Sequence, residues 1–154
     1  MSQTATNIKY DIPFVPSSDE KTLTMMRLAN IRPHEKVIDL GAGEGKLVLA
    51  MAAKGADVTG IEIDGERATM TINNVAAAGL QERVRIINGN FWQHDLSNYD
   101  LIVLYGVPSI MERLEKKIAN EAKPTVRIVS NHFTFPNWKP AKTVNNVYLY
   151  RPLS

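Results

Sequence analysis

The sequence predicts an α/β fold: a mostly parallel, seven-stranded sheet covered by helices on both faces and closed by a C-terminal antiparallel hairpin. Three observations carry this. Short apolar runs alternate with amphipathic segments of helical length from residue 36 to residue 130. The strand-like runs are almost continuously apolar, as in Leu101–Tyr105, which marks strands buried on both faces. Near the C-terminus two short runs flank Asn145-Asn146, and asparagine tolerates the positive φ of a tight hairpin turn.

The elements follow in order. Residues 1–9 are polar and predict a mobile tail, leaving a single domain over 10–154. Residues 10–16 are apolar but carry Pro13 and Pro16, which predicts an extended arm, 10–18, rather than a helix. Ser17 or Ser18 caps a helix through Ala29, with Glu20 among the early acids and Leu23, Met26 and Leu28 supplying much of its apolar face. Lys36–Leu40 reads as a strand, 45–54 as a helix, and 57–61 as a strand ending in Glu62. Residues 65–78 form a helix stopped by Gly79. Residues 83–87, Leu101–Tyr105 and 126–130 are further strands, and 111–121 is a helix closed by Pro124. The hairpin pairs 141–144 with Val147–Tyr150.

Composition narrows the function. The 154 residues suffice for one domain with a real core, and 44% apolar with 22% charged residues is ordinary globular usage. A net charge of +2, with lysines and arginines dispersed, argues against nucleic acid as partner. Zero cysteines and three scattered histidines predict no metal site. With neither a basic segment before an apolar run at the N-terminus nor a membrane-spanning stretch, the expected location is cytoplasmic, with no membrane partner. The residues leave oligomeric state open.

The chemistry centres on Val37-Ile-Asp-Leu-Gly-Ala-Gly-Glu-Gly-Lys-Leu-Val-Leu49: a strand, a glycine turn and a helix start, the opening of a Rossmann-like nucleotide-binding unit. Gly41 and Gly43 let the backbone approach a ligand closely, with Ala42 between them. A dinucleotide fingerprint wants a third glycine where this chain has Lys46; the spacing here is Gly41-x-Gly43-x-Gly45, preceded by Asp39. An acid at the strand end suits a ligand that carries a cation and no phosphate. S-adenosyl-L-methionine (SAM) fits, with its ammonium, sulfonium and ribose diol. Glu62, about 20 residues on, is placed to accept from both ribose hydroxyls. Asn90 is placed to bond the adenine amino group, with Phe91 or Ile63 against the ring.

The arm Pro13-Phe-Val-Pro-Ser17, the loop Asp39-Leu-Gly-Ala-Gly-Glu-Gly-Lys46, Gly89-Asn-Phe91 and the segment Ser130-Asn-His-Phe-Thr-Phe-Pro-Asn-Trp-Lys-Pro140 together resemble a known group. It is the family of small seven-strand (class I) SAM-dependent protein-lysine methyltransferases of archaea and their mitochondrial relatives. The likeness runs from Pro13 to Tyr150. Phe14, Glu44 and Lys46 replace the family's usual Tyr, Asp and Arg, and Leu104-Tyr-Gly-Val-Pro108 follows its pattern only loosely. The resemblance implies that Val15, Pro16 and Ser17 fold over the cofactor, that Leu104 faces it, and that the acceptor is an exposed lysine of a protein substrate.

Phe14, Tyr105, Phe133 and Trp138 are the candidates for an aromatic acceptor channel, with the Tyr105 hydroxyl orienting the amine. Phe133 and Trp138 would serve equally well as core packing. No dedicated general base is expected. Two other functions stay open: a small-molecule methyltransferase, for which the chain has little spare length to build a lid, and a non-catalytic SAM-binding module, which would usually lose Asp39, Glu62 or Asn90. Base methylation would want an Asn/Asp-Pro-Pro-aromatic loop where the chain has Tyr105-Gly-Val-Pro108.

Overall fold

The structure, a computed structural model, describes residues 19–43, 45–105 and 108–153. The expected tail and arm, with Phe14, Val15, Pro16 and Ser17, lie outside the described residues, as do Glu44, Gly106 and Val107. The elements are α1 (Asp19–Ala29), β1 (Lys36–Leu40), α2 (Lys46–Ala53), β2 (Asp57–Glu62), α3 (Gly65–Ala77), β3 (Val84–Asn88), a 3-10 turn (Phe91–Gln93), β4 (Leu101–Tyr105), α4 (Pro108–Glu121), β5 (Arg127–Asn131), β6 (Lys142–Val144) and β7 (Val147–Tyr150). They form one seven-stranded sheet in the order β3-β2-β1-β4-β5-β7-β6. The first five strands are parallel, and β7 pairs antiparallel with both β5 and β6.

Strand alternation divides the core in two. Val37, Val58, Leu101, Val103 and Val129 face α1, α2 and α3 through Met25, Leu28, Val48, Met51 and Val75. Ile38, Leu40, Ile61, Ile102, Leu104 and Ile128 face Ile110, Met111, Leu114 and Ile118 of α4. Each such side chain, fully buried, stabilises the fold by roughly 1.5–3 kcal/mol. The chain adds strands outward on one side of β1 and then on the other, so β1 and β4 mark a topological switch point. In open α/β sheets ligands bind at such a point, beyond the strands' carboxyl ends.

The predicted elements are all present, with corrections. Leu23 points outward at 57% exposure, because the buried stripe of α1 runs through Thr22, Met25, Leu28 and Ala29 at helical spacing. The helix expected at 111–121 begins at Pro108, since proline's missing N–H costs nothing in a first turn. β3 and β5 each sit one residue later than expected, which brings Asn88 and Asn131 into the sheet. Asn145 and Asn146 take φ of 49° and 61°, as the hairpin requires.

Arg127 locks α1 to this frame. Its guanidinium donates to both carboxylate oxygens of Glu35, at 2.8 and 2.9 Å, and to the Ala29 carbonyl that ends α1, at 2.8 and 3.2 Å. Burial pushes the Glu35 carboxyl up, but hydrogen bonds from Arg127 and from the Arg32 N–H outweigh it and hold it below its usual value. A depressed carboxylate stabilises the fold above its unfolded-state range, and that contribution disappears as pH falls through the depressed value. Glu35→Gln is therefore expected to lower unfolding free energy by about 1–3 kcal/mol at neutral pH. Urea titrations of the two proteins should converge in the acid range; a gap that persisted there would remove the ion pair as its source.

Candidate active site

The site is built at the carboxyl ends of β1 and β2. After Asp39 and Leu40 the chain turns through Gly41, Gly43 and Gly45, with φ of 101°, 60° and 90°. The Gly41 and Ala42 N–H groups both donate to the Ile61 carbonyl, at 2.9 Å each, which pins the turn to β2. Gly45 caps α2 with no side chain to contribute. It is pressed against α3: a Cβ there would stand 2.6 Å from Thr71 Cγ2, and the Thr71 hydroxyl donates to the Gly43 carbonyl at 2.9 Å.

Glu62 is the centre of the turn. One carboxylate oxygen accepts from the Gly43 N–H at 2.7 Å, the other from the Asp64 N–H at 3.0 Å. Arg67, buried, lies 3.4 Å from the second oxygen and 3.2 Å from Asp64. A carboxylate offers about four lone-pair sites, so positions remain for ribose hydroxyls. Sequence reasoning gave Glu62 a ligand role only and missed Arg67; the signal was the i, i+3 spacing of Asp64 and Arg67 at a helix start.

Asp39 differs. It is 4% exposed, buried near the end of β1 close to the Glu62 carboxylate. Burial, and beside it the Glu62 carboxylate, push its carboxyl well above the ordinary range. An ammonium placed there would relieve both effects.

At the end of β3, Asn88 donates to the carbonyls of Glu62 and Ile63 at 2.9 and 3.1 Å, steadying the β2 end. Asn90 is exposed, and its side-chain carbonyl accepts from the Trp92 N–H at 2.9 Å, capping the 3-10 turn. Its second lone pair and its amide remain available. Phe91 is buried against Trp92, with ring centroids 4.6 Å apart, whereas Ile63 is 42% exposed beside the turn. Leu104 is fully buried under α4.

Across the switch point, Tyr105 ends β4. Phe133 meets it edge-on, with centroids 6.1 Å apart. Trp138 packs instead on Phe135 and Tyr150, with centroids at 5.1 and 6.4 Å. The segment that carries these rings is pinned by residues the sequence did not single out. Ser130 Oγ donates to the Phe133 carbonyl at 2.6 Å, the Phe135 N–H donates to the Tyr150 hydroxyl at 3.0 Å, and Asn137 donates twice to buried Glu115.

The donor set suits SAM: a buried acid for a cation, an anchored acid for a diol, and an apolar and amide rim for a heterocycle. The sequence model of the ANTKMT methyltransferase domain matches residues 39–142. This chain belongs to that family. It is a SAM-dependent methyltransferase of the class I fold. It is 30% identical over 150 residues to a protein-lysine N-methyltransferase of Saccharolobus islandicus, covering 90% of this chain and 92% of that one. It is 27% identical to the adenine nucleotide translocase lysine N-methyltransferase of Mus musculus over 89% of its own length, and spans 60% of that longer protein. Among solved structures it is similar to an RNA methyltransferase from Salinibacter ruber in complex with S-adenosyl-L-homocysteine, with a TM-score of 0.82 and 29% identity over 88% of this chain and 91% of that one.

Two expectations follow for cofactor binding. Asp39 binds its proton more tightly folded than unfolded, so it costs stability as pH rises through its raised range. Asp39→Asn should then melt higher than wild type at neutral pH while binding SAM at least tenfold more weakly by calorimetry. A lower melting temperature would contradict the burial argument. Gly45→Ala combines a strained φ with a clash on Thr71. It should cost about 1–3 kcal/mol in stability and weaken SAM binding through the displaced turn.

Proposed function

We propose that this family member transfers methyl groups from SAM to lysine side chains of proteins. The observation that carries the reading is the end-to-end likeness to the archaeal enzyme named for that activity, over nine-tenths of both chains. The aromatic pair at the β4 and β5 ends supports it. Tyr105 is only half-buried there, and the described chain has no added domain over that opening, which suits a protruding side chain better than an enclosed metabolite. We extend the proposal to Phe14 and Trp138 as the remaining wall of the channel, to Val15, Pro16 and Ser17 as the cover of the cofactor, and to a cytoplasmic location. No helix among the described residues is long and apolar enough to cross a membrane.

SAM supplies an electrophilic methyl carbon on a sulfonium. The residues of this chain have then to hold it in line with the acceptor and strip water from both partners. Asp39 takes the ammonium, and Glu62, held by Gly43, Asp64 and Arg67, takes the diol. A lysine amine has an unperturbed pKa near 10.4 and must reach the site neutral. Tyr105 and Phe133 offer an environment that disfavours the charged form, and the proton leaves to solvent without a dedicated base. As the amine nitrogen bonds to the methyl, the carbon–sulfur pair goes to sulfur, and the methylated amine sheds its extra proton to water.

The Salinibacter protein's name favours a second acceptor, RNA. Tyr105 and Pro108 do not form the loop that stacks and bonds a flipped base, so lysine is preferred. Labelled SAM, the purified protein and a fractionated extract decide between them. Label on lysine side chains, located by mass spectrometry and absent with Glu62→Ala, is the expected outcome. Label confined to nucleic acid or to small molecules would overturn it.

A further inference from the structure

Asn131 is a buried polar side chain at the carboxyl end of β5. It is 3% exposed, and its side-chain carbonyl oxygen has no hydrogen-bond partner among the described residues. A buried carbonyl left unpaired costs free energy, and in a native fold it calls for an explanation. Its position supplies one. Asn131 ends β5 and is the register partner of Tyr105, which ends β4. Along β5, Ile128 points into the cluster under α4 and Val129 into the opposite one, so Asn131 shares the face of Val129. Asp39 lies on that same face, level with Val103 and Val129. Asn131 therefore stands two strands across from Asp39, about 10 Å, and two residues, about 7 Å, further toward the carboxyl ends.

The backbone around it is held under strain. His132 adopts φ of 80°, uncommon for a residue with a side chain, and its N–H is tied to the Asn146 carbonyl at 2.7 Å. That turn ends β5 directly after Asn131 and brings Phe133 back beside Tyr105. Tyr105, the register partner of Asn131, and Phe133, two residues on, thus meet edge to face beside the end of β5.

We propose that Asn131 is an acceptor-positioning residue whose side-chain carbonyl receives an N–H of the incoming amine and aims its lone pair at the methyl group. The assignment rests on the lysine reading and sharpens it. The oxygen orders the amine after the proton is lost. It takes no proton itself, since an amide carbonyl is not basic at neutral pH. The free enzyme keeps the carbonyl unpaired so that the amine can fill it.

The test compares wild type with Asn131→Leu, near in volume and unable to bond, and with Asn131→Asp, which keeps an acceptor oxygen. Wild type is first assayed against protein, nucleic-acid and small-molecule fractions, and the variants then on whichever fraction it labels. For Asn131→Leu the expected result is a loss of about ten- to a hundredfold in kcat/KM for the acceptor. SAM affinity should stay within twofold, and the melting temperature should be equal or higher. Asn131→Asp should recover most of that loss.

Unchanged kcat/KM in the leucine variant would overturn the proposal. So would a loss accompanied by weaker SAM binding and a lower melting temperature, which marks a structural role. Label on a fraction other than protein lysine overturns the lysine reading, while Asn131 is still judged by its own kinetic ratio. No transfer to any fraction overturns both.

Discussion

The Glu62 carboxylate is the interaction on which the rest of the site depends. A turn through three glycines has no side chains of its own to fix it and carries high conformational freedom in the unfolded chain. Glu62 restrains it by accepting from the Gly43 N–H with one oxygen and from the Asp64 N–H with the other. That single group joins the loop after β1 to the start of α3, while Arg67 keeps the buried charge compensated. Thr71 completes the hold from the next turn of α3 by bonding the Gly43 carbonyl. Burial, and beside it this same carboxylate, raise the proton affinity of Asp39, and a cation placed there would relieve both. Glu62 thus contributes to both the structure and the electrostatics of the cofactor half.

The two halves of the site handle polar groups differently. Around the glycine turn, hydrogen bonds at Gly41, Ala42, Gly43 and Glu62 tie the loop to β2 and α3. Asp39 and Asn131 stand apart: Asp39 is buried beside the Glu62 carboxylate, and the Asn131 side-chain carbonyl is buried with no hydrogen-bond partner among the described residues. In an ordinary core such groups would be replaced by apolar ones of similar shape. Their persistence on one face of the sheet, at the carboxyl ends of β1 and β5, fits a ligand that spans the switch point and satisfies both.

Distance from the chemistry does not make the remaining polar contacts incidental. Arg127 fixes the C-terminal end of α1 to the start of β5 and to Glu35, so this helix is clamped where it covers the sheet. Glu115 and the Tyr150 hydroxyl hold the segment after β5, which sets where Phe133 can lie. Each of these contacts joins residues remote in sequence, and together they set the shape of the acceptor side.

The fold was legible in the residues because its signals are local. Apolar runs of strand length, glycines where φ is positive, and an Asn-Asn pair at the hairpin each act within a few residues, and the structure keeps all of them. Asp39, Gly41, Gly43 and Glu62 were legible for the same reason: a strand that ends in an acid before a glycine turn has a narrow range of uses. The sequence also determined the family, through the Pro-rich arm and the Phe–Trp segment. Tertiary structure alone decided which groups are left unpaired. Hydrogen bonding depends on neighbours from other strands, and no periodicity reports that Glu62 is bonded to Gly43 or that the Asn131 side-chain carbonyl lacks a partner among the described residues. It also placed Trp138 on Phe135 and Tyr150 and turned Leu23 outward, because burial is set by the surface an element docks against and not by its own composition.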